Sequence, residues 1–439
     1  MGFIILKMKK MKVHSLTFLL LVLLVPGCTS LSQKLQNILE TKSSPTTSEQ
    51  KKISSYCENR STHQSLLEDP QFVKSSLFKN APFSFIEKSV LLSLIEMERR
   101  PDTIGPYSRL QVITKINNEI QYYDFRPKVL DDDTKIAFLF GLDFLLKKYN
   151  ANNSINTIAN FADHTWPAHY LVSSELENFL QLHKIDIQKN ADLSKIFMKG
   201  DETLTRFETF PHANLQKSLM LFNKKKLFDN NHYEFSKNNL SFKTTLNGNN
   251  TTQCNFDLGK DLFSPDDLFF ETDYSSFPIV FSENDNFFFA IASSYLKKPI
   301  EMKDEFYLKT RPSLAPLPIC VLNNPNLKLD IIISSTLGRN PSQHIKHLIA
   351  YDIINSNSVV TLGHTLNFAR HLFLNNPDRI LYESKKGRKE QLNFFLQMNF
   401  PIYHVDQLGD ITALASYERN KYHSIIKDER NTKQLLCTP

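Results

Sequence analysis

A chain of 439 residues, 22% charged and 41% hydrophobic, has the composition of a folded globular protein and excludes a disordered, collagen-like or polytopic membrane chain. Its 11 glycines never fall one residue apart, which excludes the G-x-G-x-x-G dinucleotide loop, and neither the G-x-x-x-x-G-K-[ST] phosphate loop nor the G-x-S-x-G nucleophile elbow occurs. Much of the formal charge of +6 belongs to the first 27 residues, which hold four lysines and no acid; without them the charge is +2 and gives no electrostatic case for nucleic acid.

In chain order, Lys7, Lys9, Lys10 and Lys12 precede an apolar run from Leu16 to Val25. That run is shorter than the roughly 20 residues a spanning helix needs and fits the apolar core of a signal peptide. Val25-Pro26-Gly27-Cys28 then resembles the lipobox of bacterial lipoproteins. The resemblance implies removal of residues 1–27 and conversion of Cys28 to an N-acyl diacylglyceryl cysteine, with membrane lipid as the partner. Thr29, standing where an aspartate would retain the protein at the inner membrane, implies the outer membrane of a Gram-negative envelope.

Residues 28–56, rich in Ser, Thr, Lys and Gln, read as a tether behind the lipidated cysteine. An α+β body follows, with mixed or antiparallel sheet and packed helices, as one large domain or two: 57–222, an Asn-rich hairpin excursion at 223–255, and 256–439. Phe85 to Met97 has helical spacing and stops at Arg99-Arg100-Pro101. Leu110–Ile116 and Ile120–Phe125, separated by Asn117-Asn118, predict a hairpin, and Ile136–Tyr149 predicts an apolar helix. His232–Phe235 and Leu240–Leu246 alternate around turns at Asn238-Asn239 and Asn247-Gly248, which predicts antiparallel strands. Phe287–Ala292, Leu329–Ile333 and Val359-Val360 read as core, Leu366–Leu374 and Glu390–Met398 as helical, and Phe400–Val405 as a strand.

With Cys28 assigned to lipid, Cys57, Cys254, Cys320 and Cys437 remain, widely spaced and without C-x-x-C. In an oxidising envelope they permit two disulfides, for which the expected pairing is Cys57 with Cys437 and Cys254 with Cys320; four buried thiols are the alternative.

Two groups of residues could carry chemistry. Asp163, His164 and His169 surround the single Trp166, and no H-E-x-x-H is present. A denser group contains Arg339, His344, Lys346, His347, Asp352, His364, Arg370, His371, His404 and Asp406. Imidazole titrates near neutrality, so His344, His347, Asp352, His364 and His404 are candidate acid–base residues or metal ligands; the metal and any cofactor stay unassigned. The stretch from Thr310-Arg-Pro-Ser313 through Lys328-Leu-Asp-Ile-Ile-Ile333 to Arg339 resembles the central segment of aerobactin-type siderophore synthetases. That resemblance implies an ATP-dependent carboxylate–amine ligase, in which Ser313, Lys328 and Arg339 contact phosphate or adenylate.

The sequence thus describes a lipid-anchored envelope protein with a binding or envelope-assembly role and an unknown ligand. Its alternatives are an envelope hydrolase using the His/Asp group between residues 339 and 406, and a divergent carboxylate–amine ligase.

Overall fold

The computed structural model describes Tyr56 and, with breaks, residues 63–438; the longer stretches outside it are 1–55, 57–62, 128–135, 224–232, 259–273 and 296–310. The first sheet contains β1 (His63–Leu67), β2 (Arg109–Ile116), β3 (Glu119–Pro127), β8 (Tyr233–Glu234), β11 (Tyr274–Glu283), β12 (Asn286–Tyr295), β13 (Arg311–Pro312) and β21 (Gln434–Thr438). Its order is β21-β1-β11-β12-β2-β3-β8, with β13 beside β12. The second contains β9 (Phe242–Thr245), β10 (Thr251–Cys254), β14 (Ile319–Asn324), β15 (Leu329–Thr336), β19 (Asp410–Tyr417) and β20 (Tyr422–Lys427), in the order β20-β19-β15-β14-β10-β9. A small sheet holds β16 (His371–Leu374), β17 (Arg379–Glu383) and β18 (Ile402–Val405), and two short hairpins pair β4 (His169–Leu171) with β7 (Thr209–Pro211) and β5 (Met198–Lys199) with β6 (Glu202–Thr203). This is the expected α+β class with antiparallel sheets; β17–β18 is a parallel pair.

Strand periodicity turns these sheets into a four-layer sandwich. Alternate residues of a strand face opposite sides, so β11 sends Phe277, Ile279 and Phe281 one way and Val280 the other, and β12 divides Phe288 and Ala290 from Phe287, Phe289 and Ile291. The second set meets Ile319, Ile332, Leu414 and Ile425 of the second sheet in a core between the sheets. The first set is covered by helices α1 (Phe85–Arg99), α2 (Ala137–Lys148), α3 (Ile155–Thr165) and α4 (Ser174–Leu182). On the far face of the second sheet, Ile331, Ile333, Ile411 and Ala413 pack under α5 (Pro341–Ala350) and α6 (Val359–Leu366).

Local signals explain several elements. A capping box, Ser84 with Glu87, starts α1. Asn117 and Asn118, both left-handed, make the tight β2–β3 turn anticipated from the sequence. Gly141 lets α2 lie close to the sheet, since a Cβ there would stand 2.6 Å from the Phe125 ring.

Other expectations change. Segments 57–222 and 256–439 contribute neighbouring strands to one sheet, with β2 against β12 and β1 between β11 and β21. The 223–255 region supplies strands to both large sheets: Tyr233–Glu234 joins β3, whereas β9 pairs with β10; the turns expected at Asn238-Asn239 and Asn247-Gly248 lie outside the described residues. Leu366–Leu374 is not a helix; α6 ends at Leu366 and His371–Leu374 pairs with β17, whose apolar side chains need a flat partner. Val359 and Val360 open α6, with Val360 45% exposed, and do not form a buried core segment.

Candidate active site

The layer between the sheets is apolar along most of its length and becomes polar at one end. Following the inward-facing positions, β12 runs from Ile291 to Ser293, β11 from Val280 to Ser276 and β2 from Ile113 through Gln111 to Arg109. On the opposing sheet, β15 runs from Ile332 to Ser334 and Thr336, β19 from Leu414 to Thr412 and Asp410, and β20 from Ile425 to Lys427. Ser276 is registered against Ser293, and Ser293 against Arg109. Ser334 opposes Thr412, Thr412 opposes Lys427, and Thr336 opposes Asp410.

Two contacts show that these polar ends coincide. The Lys427 ammonium donates to the carbonyl of Lys433 at 2.9 Å, while the Lys433 ammonium lies 4.6 Å from the Phe277 ring centroid in the first sheet. Gln111 accepts from the Leu317 amide and donates to its carbonyl, joining β2 to the chain entering β14. At the other end, His423 of β20 contacts the Asp285 carbonyl in the β11–β12 turn, closing the sandwich.

The mouth carries both charge signs. Thr336 donates to Asp410, whose carboxyl burial pushes above its usual range. Burial and the neighbouring Lys433 lower the Lys427 ammonium to about 8. On the helix-covered face of the first sheet, Arg100 lies 5.3 Å from the Phe277 ring centroid, pairs with Asp102 at 3.2 Å and faces Glu175 at 4.0 Å. Burial raises the Glu175 pKa, but Arg100 and Lys433 outweigh it and hold the carboxyl below the usual range. Ser294, one residue past the inward Ser293, donates to the Thr103 carbonyl at 2.8 Å and fixes the loop after α1. The arrangement puts hydroxyls, a lysine with lowered proton affinity and fixed cations in one water-poor site, the ingredients of nucleophilic acyl chemistry.

The histidine-rich group lies elsewhere. His344 and His347 share a face of α5, and His347 stacks on His371 with ring centroids 4.0 Å apart. Burial holds His344 well below the imidazole range, His347 at about 4 and His371 at about 2, with Arg370 reinforcing the first two shifts. His364 and His404 are exposed, and Asp352 lies outside the described residues. Among the described residues, no group of three or more His, Cys, Asp or Glu is arranged to hold a metal ion. His344, His347 and His371 are thus buried with lowered proton affinity, whereas His364 and His404 face solvent.

Next to them, a buried ionic network joins the small sheet to the sandwich. Arg430 pairs with Glu383 and, at 2.8 Å, with Asp428; Arg370 pairs with Asp428 and donates to the Leu408 and Gly409 carbonyls. Glu383 also accepts from the Leu408 and Arg370 amides. Its oxygens are fully engaged, so the network reads as a joint.

Lys328 is exposed, with left-handed backbone, at the β14–β15 turn, at the opposite end of those strands from the mouth and roughly 20 Å from it. Ser313 and Arg339 lie outside the described residues. Of the Trp166 group, His164 and His169 are exposed and Trp166 lies outside the described residues. Cys254 and Cys320, directly opposed on β10 and β14, form a disulfide. Cys437 on β21 is also disulfide-bonded; Cys28 and Cys57 lie outside the described residues, and the expected Cys57–Cys437 pairing with them. The mouth was not singled out from the sequence, although its mark is there: Ser275-Ser276, Ser293-Ser294 and Ser334-Ser335-Thr336 each lie at one end of an apolar strand.

No protein-family model matches the chain, and no curated protein matches it in sequence. Its architecture is similar to solved structures. The crystal structure of cephalosporin acylase from Bacillus halodurans superposes with a TM-score of 0.64 at 10% identity, covering 89% of this chain and 98% of that one. The structure of LmbA2991HD superposes with a TM-score of 0.61 at 8% identity, covering 86% and 98%.

Proposed function

We propose that this protein is a lipid-anchored envelope hydrolase that cleaves an acyl–amide bond at the polar mouth between its two large sheets. The observation that carries the reading is that six inward-facing strand rows turn polar at one end of a sandwich shaped, over nearly its whole length, like an acylase. A hydroxyl there supplies the nucleophile, and Lys433, whose charge acts on both Lys427 and Asp410, offsets negative charge that develops during attack.

This favours the hydrolase alternative over a binding or assembly role, and moves its chemistry from the His344–His404 region to the mouth. The carboxylate–amine ligase finds no counterpart in the structural likenesses. The envelope location draws support from Cys254, Cys320 and Cys437, all disulfide-bonded, because disulfides persist in oxidising compartments. The anchor rests on Cys28 and the apolar leader before it.

The test takes the oxidised protein from its native membrane fraction. It is incubated with a cephalosporin bearing an amide-linked side chain and with N-acyl p-nitroanilides of varied acyl group, and amine release is followed by fluorescamine and absorbance. Release from at least one member, lost in Ser334→Ala combined with Thr336→Val, is expected. No release above buffer from any member overturns the reading. Peptide mass spectrometry of the same sample should find acylated Cys28 at the N-terminus, and an intact leader would sink the anchor.

A further inference from the structure

We propose that the outer face of the β4–β7 ribbon, with the turn that carries Phe207, is a docking surface for the anionic lipid bilayer that holds the chain. The inference adds a second surface to the hydrolase reading and rests on Cys28 as the lipid anchor.

The ribbon has two unlike faces. Tyr170 of β4 is opposed to Phe210 of β7, and both rings are buried in the core under the first sheet's helices. Alternation turns the flanking residues outward: His169 opposite Pro211 and Leu171 opposite Thr209, all exposed. Leu171 keeps 63% of its surface in water.

The turn entering β7 extends that outer face. The Glu208 amide donates to the Thr205 carbonyl at 3.0 Å and closes a tight turn. The Phe207 amide donates to the Val172 carbonyl at 3.2 Å, which sets the turn beside Leu171. Phe207 is 71% exposed and has left-handed backbone, with φ at 72°. Among the described residues, five of the seven non-glycine residues with positive φ are asparagines, which tolerate it, and Gly200 supplies it at the β5–β6 turn. At Phe207 the Cβ is disfavoured and the ring stays largely in water, two costs that burial against a partner would offset.

Charge selects the partner. Arg206 is exposed, with its guanidinium 4.7 Å from the Phe207 ring centroid. The one acid of the turn, Glu208, accepts from the Thr205 amide at 2.7 Å and hydroxyl at 3.0 Å and lies 3.7 Å from the Lys199 ammonium. The exposed residues of the ribbon and turn are therefore apolar, neutral or basic, and none is a carboxylate. Leu182 and Ile185, also exposed, instead share their stretch with Asp186 and with Glu202, the partner of Lys184. A projecting ring with an arginine beside it suits the bilayer boundary, where the ring meets acyl chains and the guanidinium meets phosphates. Residues 29–55 separate Cys28 from Tyr56 and reach at most roughly 90 Å, enough for this side of the body to meet the membrane.

The test uses the full lipidated protein in vesicles of three parts phosphatidylethanolamine to one part phosphatidylglycerol. Phe207 is replaced by p-benzoylphenylalanine, the sample is irradiated, and peptide mass spectrometry locates phospholipid adducts. Phe394, 57% exposed on the helix Lys389–Gln397, carries the same probe as the comparison site. Adducts at position 207 at least tenfold above those at 394 are expected, and Arg206→Glu should lower them at least fivefold with an unchanged thermal midpoint. Equal yields at the two sites, a yield that ignores Arg206→Glu, or crosslinking of position 207 to protein overturns docking on lipid. Should the replacement at 207 fail to fold, the probe at Thr209 on the same face decides by the same criteria. Acylated Cys28 without lipid adducts at 207 overturns the docking surface and keeps the anchor; adducts at 207 beside an unmodified Cys28 keep the surface and remove the anchor.

Discussion

The histidine–arginine region and the mouth are both rich in buried polar groups, yet they solve the cost of burial in opposite ways. Around Glu383, each charge meets an opposite charge and backbone partners: two arginines, two carboxylates, amides and carbonyls close the network. The mouth instead gathers hydroxyls and cations whose protonation is shifted by burial, with Lys427 lowered and Asp410 raised. Saturated ion pairs hold geometry, whereas groups poised near their transition can exchange protons. Density of titratable residues along the sequence pointed to the first region, and the proposed hydrolysis is assigned to the second.

The contrast breaks most visibly if the joint is cut. Glu383→Gln leaves Arg370 and Arg430 buried with Asp428 as their one remaining anion in the network and is expected to cost about 3–5 kcal/mol in urea unfolding. Its loss of activity should track the unfolded fraction; an activity loss in the folded protein would give the network a chemical role. Removing the β10–β14 staple with Cys254→Ala and Cys320→Ala opens a link across 66 positions and should cost about 2–4 kcal/mol, read by the same unfolding curves.

A smaller effect separates the regions by pH. His347 has a folded pKa near 4, below its unfolded 6.5, so the unfolded chain binds more protons between those values. The stability linked to its neutral ring is present above pH 6.5 and is lost as pH falls toward 4, at up to about 1.4 kcal/mol per unit for this group. His347→Gln should flatten that slope in unfolding curves recorded from pH 7 to 4.5; an unchanged slope would place the ring in contact with water. The smallest effect belongs to the exposed histidines. His364→Ala and His404→Ala should each change stability by less than about 0.5 kcal/mol and leave amide turnover unchanged. A loss of turnover in either would return the chemistry to the region first suggested by the sequence.

Local patterns made several elements legible in advance. The spacing of Phe85 to Met97 marked α1, Asn117-Asn118 marked the β2–β3 turn, and Glu390–Met398 marked the helix Lys389–Gln397. These signals act over a few residues, where caps, turn conformations and periodicity suffice. Errors arose where an apolar segment needed a distant partner. His371–Leu374 can satisfy a helical apolar face, but the exposed ladder of β17 makes it a strand. Tyr233–Glu234 neighbours β9 along the chain and pairs with β3 more than a hundred residues earlier.

By itself, then, the sequence determined the α+β composition of the body, the boundaries of its strongest helices and turns, and the hydroxyl doublets at the ends of its strands. Tertiary structure decided which doublets meet. Ser276 and Ser293 face Ser334 and Thr412 because two sheets pack their apolar rows together, and because strands opposed in register bring equivalent ends to the same mouth. Period-two alternation assigns each side chain a face, but only pairing and sheet-on-sheet packing assign that face a neighbour.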